Sequence, residues 1–226
     1  MAYHQRGPMK ILAVADEVDR RLYDDGLRDR MAPDLILGCG DLPGHYLDYL
    51  VSQLNAPLYA IHGNHDAPPT TEGGAEFEKS GASWIGGRAV NVNELLLAGF
   101  DGSVRYNQGA YQSTQAQMRA MVGALVPWLW LNKLRYGRYL DILVTHAPPR
   151  GIHDQADPAH AGFDAFRWLI EKFQPRYHLH GHVHVYDRRK TCVTRVGRTE
   201  VVNVYPYREL TLDLPEMALE RVHTAA

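Results

Sequence analysis

The sequence predicts an α/β fold, on three observations. Short apolar runs stop on an acid or a histidine, helical stretches alternate with those runs, and the chain finishes in strand-like segments separated by turns. Residues 11–15 (Ile-Leu-Ala-Val-Ala) stop at Asp16, and residues 35–39 stop at Gly40-Asp41, as expected of strands buried on both faces. Between them residues 20–31 predict a helix, and residues 46–54 predict another, closed by Asn55 and Pro57. A third run, residues 58–61, leads into His62-Gly63-Asn64-His65-Asp66, and the Pro-, Thr- and Gly-rich residues 67–74 predict a loop.

From Arg88 the character changes. Residues 89–93 alternate, residues 95–98 are apolar and residues 99–103 turn, which predicts neighbouring strands of a sheet. Residues 113–136 place Met118, Met121, Val122, Leu125, Leu129 and Leu134 near helical spacing, with Pro127 expected to break or kink the helix. Strand character returns at 140–145, ending at His146, and at 177–179, ending at His180-Gly181-His182-Val183-His184; residues 163–173 form a helix between them. Residues 191–196, 200–205 and 209–214 predict antiparallel strands, with a hairpin turn at Gly197-Arg198.

With 226 residues, 45% of them hydrophobic, one core suffices, so residues 9–226 are expected to form a single domain behind a loose polar tail, residues 1–8. A net charge of -2 creates no field for a polyanion, so nucleic acid is not an expected partner, and Arg188-Arg189-Lys190 reads as an exposed turn. The two cysteines, Cys39 and Cys192, fit buried thiols in a reducing, cytoplasmic setting. Residues 122–131, the longest uncharged apolar stretch of the second half, fall short of the ~20 residues a membrane span requires. Trp128 and Trp130 are expected in the core, with a dimer contact as the alternative, so monomer and homodimer both stay open.

In open α/β sheets, sites assemble at the carboxyl ends of strands. Asp16, Asp41, Asn64, His146, His182 and His184 should therefore converge, offering carboxylate, amide-oxygen and imidazole ligands. That mixture suits Mn, Fe, Zn, Co or Ni better than Mg or Ca, which take all-oxygen shells. Six ligands exceed one catalytic zinc site, so two ions sharing a carboxylate is the economical reading.

The ordered motifs Asp16-Glu17-Val18, Gly40-Asp41, Gly63-Asn64-His65-Asp66, His146 and Gly181-His182-Val183-His184 resemble those of the calcineurin-like metallophosphoesterase superfamily. Residues 145–149 (Thr-His-Ala-Pro-Pro) and 102–106 (Gly-Ser-Val-Arg-Tyr) are similar to its bacterial branch. The resemblance implies a four-layer α/β/β/α sandwich of two mixed β-sheets flanked by helices. It further implies a metal-dependent phosphohydrolase that cleaves a small phosphodiester or phosphomonoester by in-line attack of a metal-bridging hydroxide, manganese being the first candidate ion. In residue terms, Asp41 would bridge the ions, Asp16 and His184 would complete one, and Asn64, His146 and His182 the other. His65 would protonate the leaving oxygen and Asp66 would orient it. Arg105, Tyr106 and His45 are candidate substrate contacts, Arg105 because a guanidinium fork matches phosphate oxygens.

This chain departs from the family in its first motif, where Asp-x-His is usual and Val18 stands in the histidine's place. On a strand, Val18 would share the face of Asp16 and fill the slot, with Glu17 pointing away. Water or Asp19 would then complete that shell, or the site would be under-occupied. The alternative function is a metal-binding but catalytically weak or idle sensor or scaffold.

Overall fold

The computed structural model describes residues 8–24, 26–72, 74, 79–186 and 192–213. In chain order, the first half comprises β1 (Met9–Val14), a 3-10 turn (Arg20–Tyr23), α1 (Leu27–Met31), β2 (Leu35–Gly38), α2 (Gly44–Leu54), β3 (Leu58–Ala60) and β4 (Ser83–Trp84). Next come β5 (Arg88–Val92), β6 (Leu95–Phe100), β7 (Ser103–Val104), β8 (Gln112–Ser113) and α3 (Gln115–Tyr136). The last are β9 (Ile142–Thr145), α4 (Asp164–Phe173), β10 (Tyr177–His180), β11 (Val193–Val196), β12 (Thr199–Asn203) and β13 (Tyr207–Leu212).

The central strands are apolar at nearly every position because alternate residues serve two different cores. Ile11 and Ala13 of β1 and Leu35 and Leu37 of β2 meet Leu95, Leu97, Ile142, Val144 and Leu179 in one cluster. Leu12, Val14 and Ile36, on the opposite face, pack with Leu27, Met31, Leu47 and Leu50 of α1 and α2. Leu96, Ala98 and Leu143 turn instead to Met118, Val122, Leu125 and Leu129 of α3 and to Phe166, Leu169 and Ile170 of α4. Three clusters thus separate four layers, helices, sheet, sheet and helices, which is the expected sandwich.

The first sheet runs β13-β1-β2-β3-β4, parallel except that β13 pairs antiparallel with β1, Met9 opposite Leu212. The second runs β11-β12-β10-β9-β6-β5, with four parallel inner strands and antiparallel edges, so both sheets are mixed.

Five local expectations are corrected. The helix expected over residues 20–31 is split: Asp19 caps the 3-10 turn, and Asp24 folds a turn by accepting the Gly26 N–H at 3.0 Å before α1 begins. Pro127 lies inside α3, which runs unbroken over 22 residues from a Thr114–Gln117 capping box. Leu134 does not join the core stripe but is 84% exposed; Asn132, two residues earlier, is the buried position, its side chain bonded to the Tyr139 carbonyl. Trp128 packs against the core as expected, whereas Trp130 is half exposed with its ring edge-on to Tyr139. The β11–β12 hairpin forms as read, but the last strand crosses to the other sheet and pairs with β1 instead. Among the described residues no helix is long and apolar enough to cross a membrane. The expected exposed turn at residues 188–190, residues 1–7 of the expected tail, and the chain end from residue 214 lie outside the described residues.

Candidate metal centre

The carboxyl ends of β1, β2, β3, β9 and β10 meet at one edge of the sandwich, and the chain leaves three of them abruptly. Asp16, Asp41 and His182 all adopt left-handed backbone (φ 66°, 56° and 68°), a conformation costly for non-glycine residues and found at functional sites. The neighbouring glycines are needed for close approach. A Cβ on Gly63 would lie 2.0 Å from Asp41 Oδ1, and one on Gly181 would lie 2.5 Å from Asp16 Oδ2.

These turns bring four acceptor atoms together. His146 Nε2 lies 3.1 Å from Asp41 Oδ2, 3.0 Å from Asn64 Oδ1 and 3.1 Å from His182 Nδ1. The tautomers follow from the opposite edges of the rings. His146 Nδ1 donates to the Cys39 carbonyl at 2.9 Å and His182 Nε2 to the Ala159 carbonyl at 2.7 Å, so in the neutral rings the two facing nitrogens carry lone pairs. Asn64 is oriented in the same way, its amide nitrogen donating to the Tyr106 hydroxyl at 3.2 Å and its oxygen turned inward.

Lone pairs crowded at this distance repel one another unless positive charge sits among them. His146 registers that demand: burial opposes its protonation, but Asp41 and Asp16 lift its pKa to about 9. Burial would raise Asp41, yet the His146 charge and hydrogen bond hold it down to about 2. His182 is pushed down to about 3 by burial and by His146, keeping its Nδ1 bare. Burial raises the Asp16 carboxyl despite the nearby His146. A single proton serves only one of these contacts. Ligand atoms of Asp16, Asp41 and His146 lie within 4.8 Å of one another, so the residues present fit a divalent cation.

The remaining site residues divide. Asp16 is anchored by the His182 N–H at 2.9 Å and lies 3.8 Å from His184 Nε2. His184 is held differently, Nδ1 bonded to the Tyr186 hydroxyl at 2.9 Å and its ring stacked on Tyr205 at 4.6 Å, while Tyr205 donates to Glu17. Val18 does not fill a ligand slot. Because the chain leaves β1 in left-handed geometry at Asp16, Val18 turns to the core under α1 and α2. Asp19 is committed to Arg21, bonding its amide and guanidinium.

His65 lies on the cavity wall, its N–H donated to Asp41 Oδ1 at 2.8 Å and its ring without a hydrogen bond among the described residues. The structure does not bring Asp66 to that ring; its carboxylate accepts the N–H groups of Asp41 (3.0 Å) and Gly63 (2.8 Å) and is pushed up to about 7 by burial and by Asp41. Tyr106 lines the cavity, but Arg105 donates to the Gln112 carbonyl, and exposed His45 on α2 is not among the lining residues. The cavity encloses about 820 Å³ over Asp16, Asp41, Asn64, His182 and His184. Sequence reasoning did not single out Gln155, His160 or Tyr186 on its walls; they are contributed by loops with no strand or helix pattern to mark them.

A family model of calcineurin-like phosphoesterases matches residues 11–186. None of the curated proteins matches the chain at a significant level. Among solved structures, the chain is similar to an archaeal phosphodiesterase at 14% identity and a TM-score of 0.41, over 90% of this chain and 100% of that one. It is also similar to the Termus thermophilus sulfate thiohydrolase SoxB in complex with glycerol, at 14% identity and a TM-score of 0.42, over 75% of this chain and 33% of SoxB.

Proposed function

Since the chain belongs to the calcineurin-like phosphoesterase family and is a metal-dependent phosphoric ester hydrolase, we propose that it cleaves a small phosphodiester or phosphomonoester in the cavity above Asp41, with Mn²⁺ as the first candidate ion. The observation that carries this reading is the group of four inward-facing acceptors on Asp41, Asn64, His146 and His182. Those residues would hold one ion, and Asp16 and His184, with Asp41 shared, would hold a second more weakly. Bound there, divalent ions supply Lewis acidity toward phosphoryl oxygens and lower the pKa of water.

The protein's own residues do the rest. His65, its ring without a hydrogen bond among the described residues, delivers a proton from an imidazole nitrogen to the leaving oxygen. Asp41 holds the His65 backbone in place through Oδ1, and Asp66 fixes the Asp41 and Gly63 amides, so Asp66 acts through the loop it organises. The purified chain with Mn²⁺ should hydrolyse bis-p-nitrophenyl phosphate or p-nitrophenyl phosphate, a chelator should abolish the activity, and His65→Ala should lower it at least ~100-fold. Absence of turnover with every first-row divalent ion would sink the proposal; metal binding without turnover would favour a sensor or scaffold.

A further inference from the structure

On the cavity wall beside His182 stands a histidine held by a carboxylate. His160 Nδ1 lies 2.9 and 3.0 Å from the two carboxylate oxygens of Asp157. Asp157 is itself fixed, accepting the N–H groups of Ala159 at 3.0 Å and His160 at 3.1 Å. The loop is hung on the metal centre, because the Ala159 carbonyl accepts the His182 Nε2 proton, and the Gln155 N–H donates to the His160 carbonyl at 3.1 Å. The ring sits 5.3 Å from that of His182, centroid to centroid, and faces the cavity.

In the neutral ring the Nδ1 proton is committed to Asp157, which leaves Nε2 as an acceptor, and among the described residues Nε2 has no hydrogen-bond partner. A phosphoryl oxygen carries no proton to offer it; a hydroxyl does. A cavity of about 820 Å³ also exceeds what a bare phosphate needs. Resting on the phosphoesterase reading above, we propose that His160 is a specificity-determining residue that accepts a hydrogen bond from a hydroxyl on the alcohol part of the substrate. The substrates it favours are then phosphoesters of hydroxyl-rich alcohols, with Asp157 as the residue that positions the ring.

The test compares two ligands that differ in their hydroxyls, glycerol 3-phosphate and propyl phosphate, by calorimetric titration into the Mn²⁺-loaded full chain carrying His65→Ala to slow turnover. Glycerol 3-phosphate should bind roughly fivefold to tenfold more tightly, the worth of one hydrogen bond. Adding His160→Ala should erase that preference while leaving propyl phosphate and Mn²⁺ affinity unchanged. Asp157→Asn, which still accepts the Nδ1 proton, should keep the preference, and Asp157→Leu should lose most of it. Equal binding of both ligands before mutation, an equal loss of both with His160→Ala, or lost Mn²⁺ affinity would each overturn the inference. Turnover of bis-p-nitrophenyl phosphate without a hydroxyl preference defeats the role of His160 alone; a hydroxyl preference without turnover defeats the hydrolase reading alone.

Discussion

The two halves of the candidate centre are built to different standards. Around His146, every ligand is pinned from behind: His146 by the Cys39 carbonyl, His182 by the Ala159 carbonyl, Asn64 by Tyr106, and Asp41 by the His65 N–H. Across the site, Asp16 is as firmly held, but the His184 side chain is 42% exposed and leans on Tyr186, itself 77% exposed. A ligand ordered by folding binds without a further ordering cost, whereas a mobile one is ordered at the moment of binding. The difference teaches that the candidate ligands around His146 are pre-ordered by the groups behind them to a degree that His184 is not. Val18, where the resembled family usually has a histidine, belongs to the half with less support.

The most damaging way to probe that contrast is to remove one ligand from each half. His146→Ala deletes the atom on which all three close contacts converge, in a residue with no exposed surface. It should abolish metal binding at both positions and lower hydrolysis at least ~100-fold. His184→Ala should lose only the weaker ion and cost half that logarithmic span, roughly 10-fold in rate. Elemental analysis after dialysis, read beside the rates, decides: equal metal loss in the two variants would break the asymmetry.

Val18→His probes whether the departure can be undone at the same position. Val18 packs against the core beneath α1 and α2, away from Asp16. The new imidazole would enter apolar surroundings, so metal content should stay the same and stability should fall by about 1–3 kcal/mol, seen as a lower midpoint in urea. A gain of one tightly bound ion would show that position 18 reaches the centre after all.

That substitution also marks where the sequence stops being legible. The buried strands could be read because their periodicity is local, and the glycines at 40, 63 and 181 stood next to their ligands in motifs; the six residues read as ligands are brought to one cavity edge. What escaped depends on geometry that no local pattern encodes. Asp16 was read as if the strand continued, but its left-handed φ of 66° turns Val18 to the other side. β13 looked like a third neighbour of the β11–β12 hairpin, yet its partner β1 lies at the opposite end of the chain. Asp66, the residue next to His65 in the chain, instead takes the Asp41 and Gly63 amides, a choice made by loop closure. His160 and Asp157 sit in a loop of no periodicity and are placed only by its attachment to His182.

The gentlest probe keeps all six candidate ligands and removes one support. Tyr106 was read as a substrate contact, yet its hydroxyl accepts the Asn64 Nδ2 proton at 3.2 Å and so turns the amide oxygen toward His146. Tyr106→Phe leaves the ring on the cavity wall and frees the amide to rotate, offering a donor where an acceptor is needed. Mn²⁺ affinity of the better-built half should fall about 10-fold, the usual lower end for losing a group that orients a ligand. The more exposed half should be unaffected, because neither Asp16 nor His184 bonds to Tyr106 among the described residues. If the substitution changes KM and leaves both metal affinities as they were, Tyr106 is a substrate contact, and the support behind Asn64 counts for little.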